Sequence, residues 1–197
     1  DASLLSVNSS TGVVSLIADP DYETKNSYSF TVTASDAAGN TSDPTTVTFL
    51  INDINDAPTI TGTPSTSVDE DVAYSFTPTG SDVDANTTLV YSITGTPSWA
   101  AFATDTGALT GTPDNGDVGT YSDIVITVSD GTATASLSSF SITVSNINDA
   151  PTITGTPSTS VDEDDAYSFT PTGSDDDAGT TLVYSITGTP SWAAFAT

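Results

Sequence analysis

Apolar residues recur at every second position through the chain, in short runs bounded by Gly, Pro and Asp. The runs are Tyr28, Phe30 and Val32; Val47, Phe49 and Ile51; Tyr74 and Phe76; Leu89, Tyr91 and Ile93; Ile124, Ile126 and Val128; and Phe140, Ile142 and Val144. A period of two puts one face of an extended segment in a core and the other in solvent. No window carries helical spacing. Asp130-Gly131 is placed to turn a hairpin. The pattern predicts an all-β protein with about seven short strands in about 90 residues, a Greek-key sandwich of immunoglobulin-like build.

Self-comparison shows a repeat. Pro58 aligns with Pro151, Tyr91 with Tyr184 and Trp99 with Trp192, each 93 residues apart, and residues 58–104 match 151–197 at 44 of 47 positions. The differences are Val72 to Asp165, Val83 to Asp176 and Asn86 to Gly179. A unit of this length buries its own core, so the repeats are beads on a string. The expected organisation is 1–53 as the C-terminal half of a domain, 54–148 as a complete repeat, and 149–197 as the N-terminal half of another. A window cut from a longer array explains the two halves; complementation end to end between chains is the lesser alternative.

Composition narrows the class. There are 26 acidic residues, only three of them Glu, against the single basic residue Lys25, for a formal charge of -25. Such a chain repels nucleic acid, whose binding needs Lys and Arg to displace counterions. No stretch of about 18 apolar residues is present, so no membrane insertion is expected. There is no Cys to form a disulfide, and with no His, no Cys and no Arg, catalysis could rest only on carboxylates, so an enzyme is not expected. Hydrophobic residues at 36% in alternating runs argue for a folded chain despite the charge. Trp99 and Trp192, with Phe102 and Phe195 nearby, are read as core before they are read as a sugar-stacking platform. The N-x-S/T triplets at Asn8, Asn40 and Asn86 are too common in a Ser/Thr-rich chain to say more.

The carboxylates cluster at strand ends and turns: Asp21-Tyr22-Glu23, the linkers Asp53-Ile54-Asn55-Asp56-Ala57-Pro58 and Asn146-Ile147-Asn148-Asp149-Ala150-Pro151, the pairs Asp82-Val83-Asp84 and Asp175-Asp176-Asp177, and lone Asp36 and Asp130. Carboxylates two apart in an extended segment point the same way, so Asp82 and Asp84 are expected to present hard oxygens together to a divalent cation. Calcium takes six to eight oxygens. No single loop supplies them, but a linker flanked by two domain ends could.

The first piece resembles the second half of a cadherin domain, through Thr11-Gly12-Val13, Asp21-Tyr22-Glu23, Tyr28 to Asp36, and Asp53 to Pro58. The middle repeat, with Pro97-Ser98-Trp99 and Gly107-Ala108-Leu109-Thr110-Gly111-Thr112-Pro113, resembles the dystroglycan-type cadherin-like domains of large bacterial surface adhesins. The resemblance implies calcium between successive domains. The first junction would use Asp21, Glu23, Asp53, Asn55, Asp56, Asp82, Asp84 and Asp130, with main-chain oxygens of Ile54 and Ala57. The second would use Glu70, Asn146, Asn148, Asp149, Asp175 and Asp177, while Asp36 and Glu163 would face further domains. Two departures stand out: the middle repeat has only Asp114 and Asp117 in place of Asp21-Tyr22-Glu23, and both linkers are one residue short before the proline. The implied role is extracellular, a calcium-rigidified spacer or adhesion module whose partners are neighbouring repeats. The alternative is direct binding of polysaccharide or of like repeats on another cell.

Overall fold

The computed structural model describes residues 1–194, so Phe195 lies outside the described residues. Along the chain run β1 (Leu5–Val7), β2 (Val14–Leu16), β3 (Ser27–Val32), β4 (Thr45–Leu50), β5 (Thr59–Thr61), β6 (Ser67–Asp69), β7 (Tyr74–Phe76), β8 (Thr79–Ser81), β9 (Val90–Thr94), β10 (Ala100–Phe102), β11 (Leu109–Gly111), β12 (Gly119–Ser129), β13 (Thr134–Ser136), β14 (Phe140–Ser145), β15 (Thr152–Thr154) and β16 (Thr172–Ser174). The only helical elements among the described residues are single 3-10 turns at Ala2–Leu4 and Asn115–Asp117. No helix there is long and apolar enough to cross a membrane.

The protein is therefore all-β, as the alternation predicts. Residues 54–148 hold ten strands rather than about seven, because expected long strands are broken into three-residue pieces. Pro64 stands between β5 and β6 and Pro78 between β7 and β8, and a proline cannot donate to a ladder.

The chain divides into two compact units. One comprises Asp1–Thr61, Thr79–Tyr91 and Thr127–Ser136; the other Gly62–Pro78, Ser92–Ile126 and the chain from Leu137 on. In the first unit β1 pairs with β2, β3 with β4 and β5 with β8, all antiparallel. Tyr28, buried, stacks on Phe49 of the facing strand at 5.2 Å, an aromatic cross-strand pair that fixes the β3–β4 register. The end of β12 turns at Asp130-Gly131 to pair with β13, as the Asp-Gly signal predicts.

The second unit holds a two-layer core. One layer is β10-β11-β7; in the other, β12 pairs antiparallel with β14, and β14 pairs parallel with β6. Tyr74 and Leu109 from the first layer meet Val68, Ile124, Ile142 and Val144 from the second, with Phe76, Ile93, Trp99, Phe102, Tyr121 and Phe140 around them. Leu109, Ile124 and Ile142 are wholly buried. Trp99 lies edge-on to both Tyr74 (5.7 Å) and Tyr121 (6.0 Å) and packs, half-buried, against the core as expected, whereas its repeat counterpart Trp192 is 70% exposed, against the expectation of a core position.

Among its described residues the near-identical stretch from Pro151 forms only β15–β16, in the same register as β5–β8. The counterparts of β6 and β7 stay outside any ladder, and Tyr167 is 39% exposed where Tyr74 is 4%. The cause is pairing rather than propensity. β6 needs β14 and β7 needs β11, and residues 151–197 contain no counterparts of those partners.

Candidate metal centres

Among the described residues, two carboxylate triads form where strands end or chain turns. In the first unit Glu23, Asp56 and Asp84 bring one oxygen each to within 4.8 Å of one another; in the second unit Glu70, Asp149 and Asp177 do the same.

The first triad is assembled by turns. Asp21 caps its own turn, its carboxylate accepting from the N–H groups of Glu23 (3.0 Å) and Thr24 (3.2 Å) and from the Thr24 hydroxyl (2.9 Å). Asp21 thereby aims Glu23 at the cluster but is not itself a member. Asp84 follows β8, and its N–H donates to Asp82 Oδ1 at 2.9 Å. This Asx turn corrects the expectation of an extended Asp82–Asp84 segment presenting both carboxylates together: Asp82 folds back to cap the Asp84 N–H, and only Asp84 joins the triad. Asp56 joins from the linker, its N–H donating to Asp84 Oδ2 at 2.9 Å. Asn55 turns to Asp130, donating to its Oδ2 at 3.0 Å, while Asp130 Oδ1 accepts the N–H groups of Thr132 and Ala133. Asp53 makes itself felt through its charge on Glu23.

The second triad is deeper. The β6–β14 ladder continues past the strand end as Glu70 N–H donates to the Ser145 carbonyl at 3.0 Å, which carries the Glu70 side chain, 2% exposed, to the start of the linker. Its Oε1 accepts the N–H of Ile147. Asp177 Oδ2 accepts the N–H of Asp149 at 2.7 Å and its Oδ1 accepts the Asn146 amide at 2.7 Å. Asp175 repeats the part of Asp82, accepting the Asp177 N–H at 2.9 Å. Asn148 donates to the Asp149 carbonyl.

Electrostatics mark both places as short of positive charge. The largest influence on Glu23, a hydrogen bond from its own backbone, pulls its pKa down. Slight desolvation and the charges of Asp53, Asp56 and Asp84 outweigh it, so the carboxyl of exposed Glu23 titrates above its ordinary value. Desolvation, then Asp177, Glu70, Asp71 and Asp176, raise Asp149. Asp177 is lowered, first by the Asn146 amide and then by the Asp149 N–H. Among the described residues, three buried carboxylate oxygens have no hydrogen-bond partner: Glu70 Oε2, Asp82 Oδ2 and Asp84 Oδ1. A carboxylate oxygen accepts only, so a water O–H or a hard cation could satisfy each of these three.

Asp71 is the participant the motifs did not mark. It sits at φ 59°, its N–H held by the Pro113 carbonyl, and its charge reaches Asp149. Asp114 and Asp117 spend their oxygens on a capping box around the Asn115–Asp117 turn. Lone Asp36 is bound within its own loop by Asn40 and by the N–H groups of Ala38 and Asn40.

Comparison with known proteins gives the same picture of the fold. Residues 57–145 match the family described as "Putative Ig domain" (He_PIG). Protocadherin Fat 4 of Mus musculus is 34% identical over 102 residues, which is 47% of this chain and 2% of that protein. Among solved structures, Protocadherin Gamma B2 extracellular cadherin domains 3-6 superpose with a TM-score of 0.59 at 19% identity, over 90% of this chain and 46% of that one. The Protocadherin GammaB4 extracellular domain does so at 0.55 and 23%, over 79% of this chain and 27% of that one. The fold of the middle of the chain is immunoglobulin-like, as in cadherin extracellular domains.

Proposed function

We propose that this chain is a stretch of tandem repeats outside the cell whose junctions bind calcium, and that its work is mechanical: to hold neighbouring repeats as a stiff spacer within an adhesion protein. The observation that carries this reading is the set of three buried, partnerless carboxylate oxygens, Glu70 Oε2, Asp82 Oδ2 and Asp84 Oδ1, at the two acidic junctions. Glu23, Asp56, Asp82 and Asp84 would hold an ion at the first junction, helped by Asp53, Asn55 and Asp130. Glu70, Asp149, Asp175 and Asp177 would do so at the second, beside Asn146 and Asn148.

Calcium suits these hard, flexible oxygens, and extracellular modules bind it with dissociation constants of about 10⁻⁴ to 10⁻³ M. Without the ion the carboxylates of a junction repel one another and the linker flexes; with it, linker and repeat share ligands and move together. The partners are the adjacent repeats of the same chain. Small-angle scattering in calcium and in EDTA tests the reading. A longer, stiffer particle in calcium is expected, and superimposable profiles would remove the proposal.

A further inference from the structure

Asp53 of the first linker is replaced one repeat later by Asn146, and Val83 beside the first triad is replaced by Asp176 beside the second. The exchanges cancel in charge, one carboxylate lost and one gained. They do not cancel in geometry. The second linker grips both oxygens of Asp177, through the Asn146 amide and the Asp149 N–H, each at 2.7 Å. In the first linker, Asp84 receives only the N–H of Asp56, at 2.9 Å, and its Oδ1 is buried without a partner. A carboxylate at position 53 has no hydrogen to give, whereas an amide at 146 has two.

We propose that Asn146 is a metal-free latch, pinning its linker to the Asp177 turn before any cation arrives, so that the second linker is held there in the absence of calcium while the first, tied to its Asp84 turn by the Asp56 N–H alone and to Asp130 by Asn55, depends more on the ion. The lost charge returns at Asp176, which is exposed and whose field still falls on Asp149. The junction thus keeps its attraction for a cation while gaining order that does not depend on one. The array would then stiffen in stages, with Asp-type linkers responding steeply to calcium and Asn-type linkers responding little. This deepens the calcium reading and rests on it for the role of the ion; the latch itself is protein alone.

Hydrogen–deuterium exchange with mass spectrometry, on the full 197-residue chain in EDTA and in excess calcium, tests it. In EDTA the amides of 146–151 are expected to exchange about tenfold more slowly than those of 53–58, in line with a hydrogen bond to a charged group. Asn146→Asp should remove most of the protection of the Asp149 amide in EDTA while Glu70 still shields that of Ile147, and Asp53→Asn should slow exchange of the Asp56 amide in the first linker, with exchange in β12 unchanged in both as the control for folding. Equal exchange of the two linkers in EDTA, or an Asn146→Asp chain that behaves as the parent there, would overturn the latch. Calcium slowing neither linker would instead sink the calcium reading, while the EDTA comparison still decides the latch.

Discussion

The carboxylate of Glu70 accepts the backbone N–H of Ile147, 77 residues further along the chain, and so ties the end of β6 to the linker that leaves β14. Glu70 thereby has two duties, one oxygen on the linker and membership of the triad with Asp149 and Asp177, its Oε2 being buried without a partner. Glu70→Ala strands the Ile147 amide and is expected to destabilise by about 1–3 kcal/mol in urea unfolding, with or without calcium. Glu70→Gln keeps an acceptor for Ile147 and should unfold close to the parent in EDTA, yet gain less melting temperature from calcium. If Gln and Ala behave alike in EDTA, the Ile147 contact has no structural weight.

The core makes a contrasting prediction. Ile124 is wholly buried between the two layers, so Ile124→Ala is expected to cost about 2–5 kcal/mol. Val183, in the C-terminal stretch, is 92% exposed, and Val183→Ala should fall within about 0.5 kcal/mol of the parent. Chemical denaturation of both variants decides this, and a large effect at Val183 would mean that the stretch packs in solution.

How far the chain could be read in advance follows from the range of the forces involved. Alternation is local, so β3, β4, β12 and β14 stand where Tyr28-Phe30-Val32, Val47-Phe49, Ile124-Ile126-Val128 and Phe140-Ile142-Val144 place them. Pairing is not local. Tyr74-Ser75-Phe76 becomes a strand while the same three residues at 167–169 do not, because only the first has β11 to bind. The acidic motifs at Glu23, Asp56, Asp84, Glu70, Asp149 and Asp177 are visible as residues, and their meeting is visible only in three dimensions. The Asx turns that close Asp82 on Asp84, and the self-capping of Asp21, depend on backbone amides that no side-chain pattern reports.

Gly80 of β8 lies directly beneath the hydroxyl of Tyr91, and a Cβ at this position would overlap that oxygen. The same contact recurs one repeat later, where the Gly173 N–H donates to the Tyr184 hydroxyl at 3.0 Å. Gly80→Ala should therefore destabilise by about 1–3 kcal/mol through overpacking. Adding Tyr91→Phe, which removes the obstructing oxygen, should recover part of the loss. A double variant no better than Gly80→Ala in thermal unfolding would count against steric conflict as the cause.

Acid should act on this protein in two opposing steps. Glu23 and Asp149 titrate above their ordinary values of 4.5 and 3.8, so their protonated forms are favoured by folding. The stability they contribute is present below those ordinary values and is lost as the pH rises through the raised ones. Asp21, Asp36, Asp130 and Asp177 are lowered from 3.8 by hydrogen bonds from Thr24, Asn40, Ala133 and Asn146. Their contribution is present above 3.8 and is lost as the pH falls through the lowered values. In EDTA the melting temperature should thus rise as the pH falls from 7 towards 4.5, where repulsion at the junctions is relieved, and drop below about pH 3.8, where the capped aspartates lose their bonds. Saturating calcium should abolish the first step, since protons then displace an ion instead of relieving bare repulsion. Glu23→Gln should shrink the rise in EDTA and leave the fall intact. A melting temperature that declines steadily from pH 7 to 3 in EDTA would show that the junction carboxylates do not repel one another enough to matter.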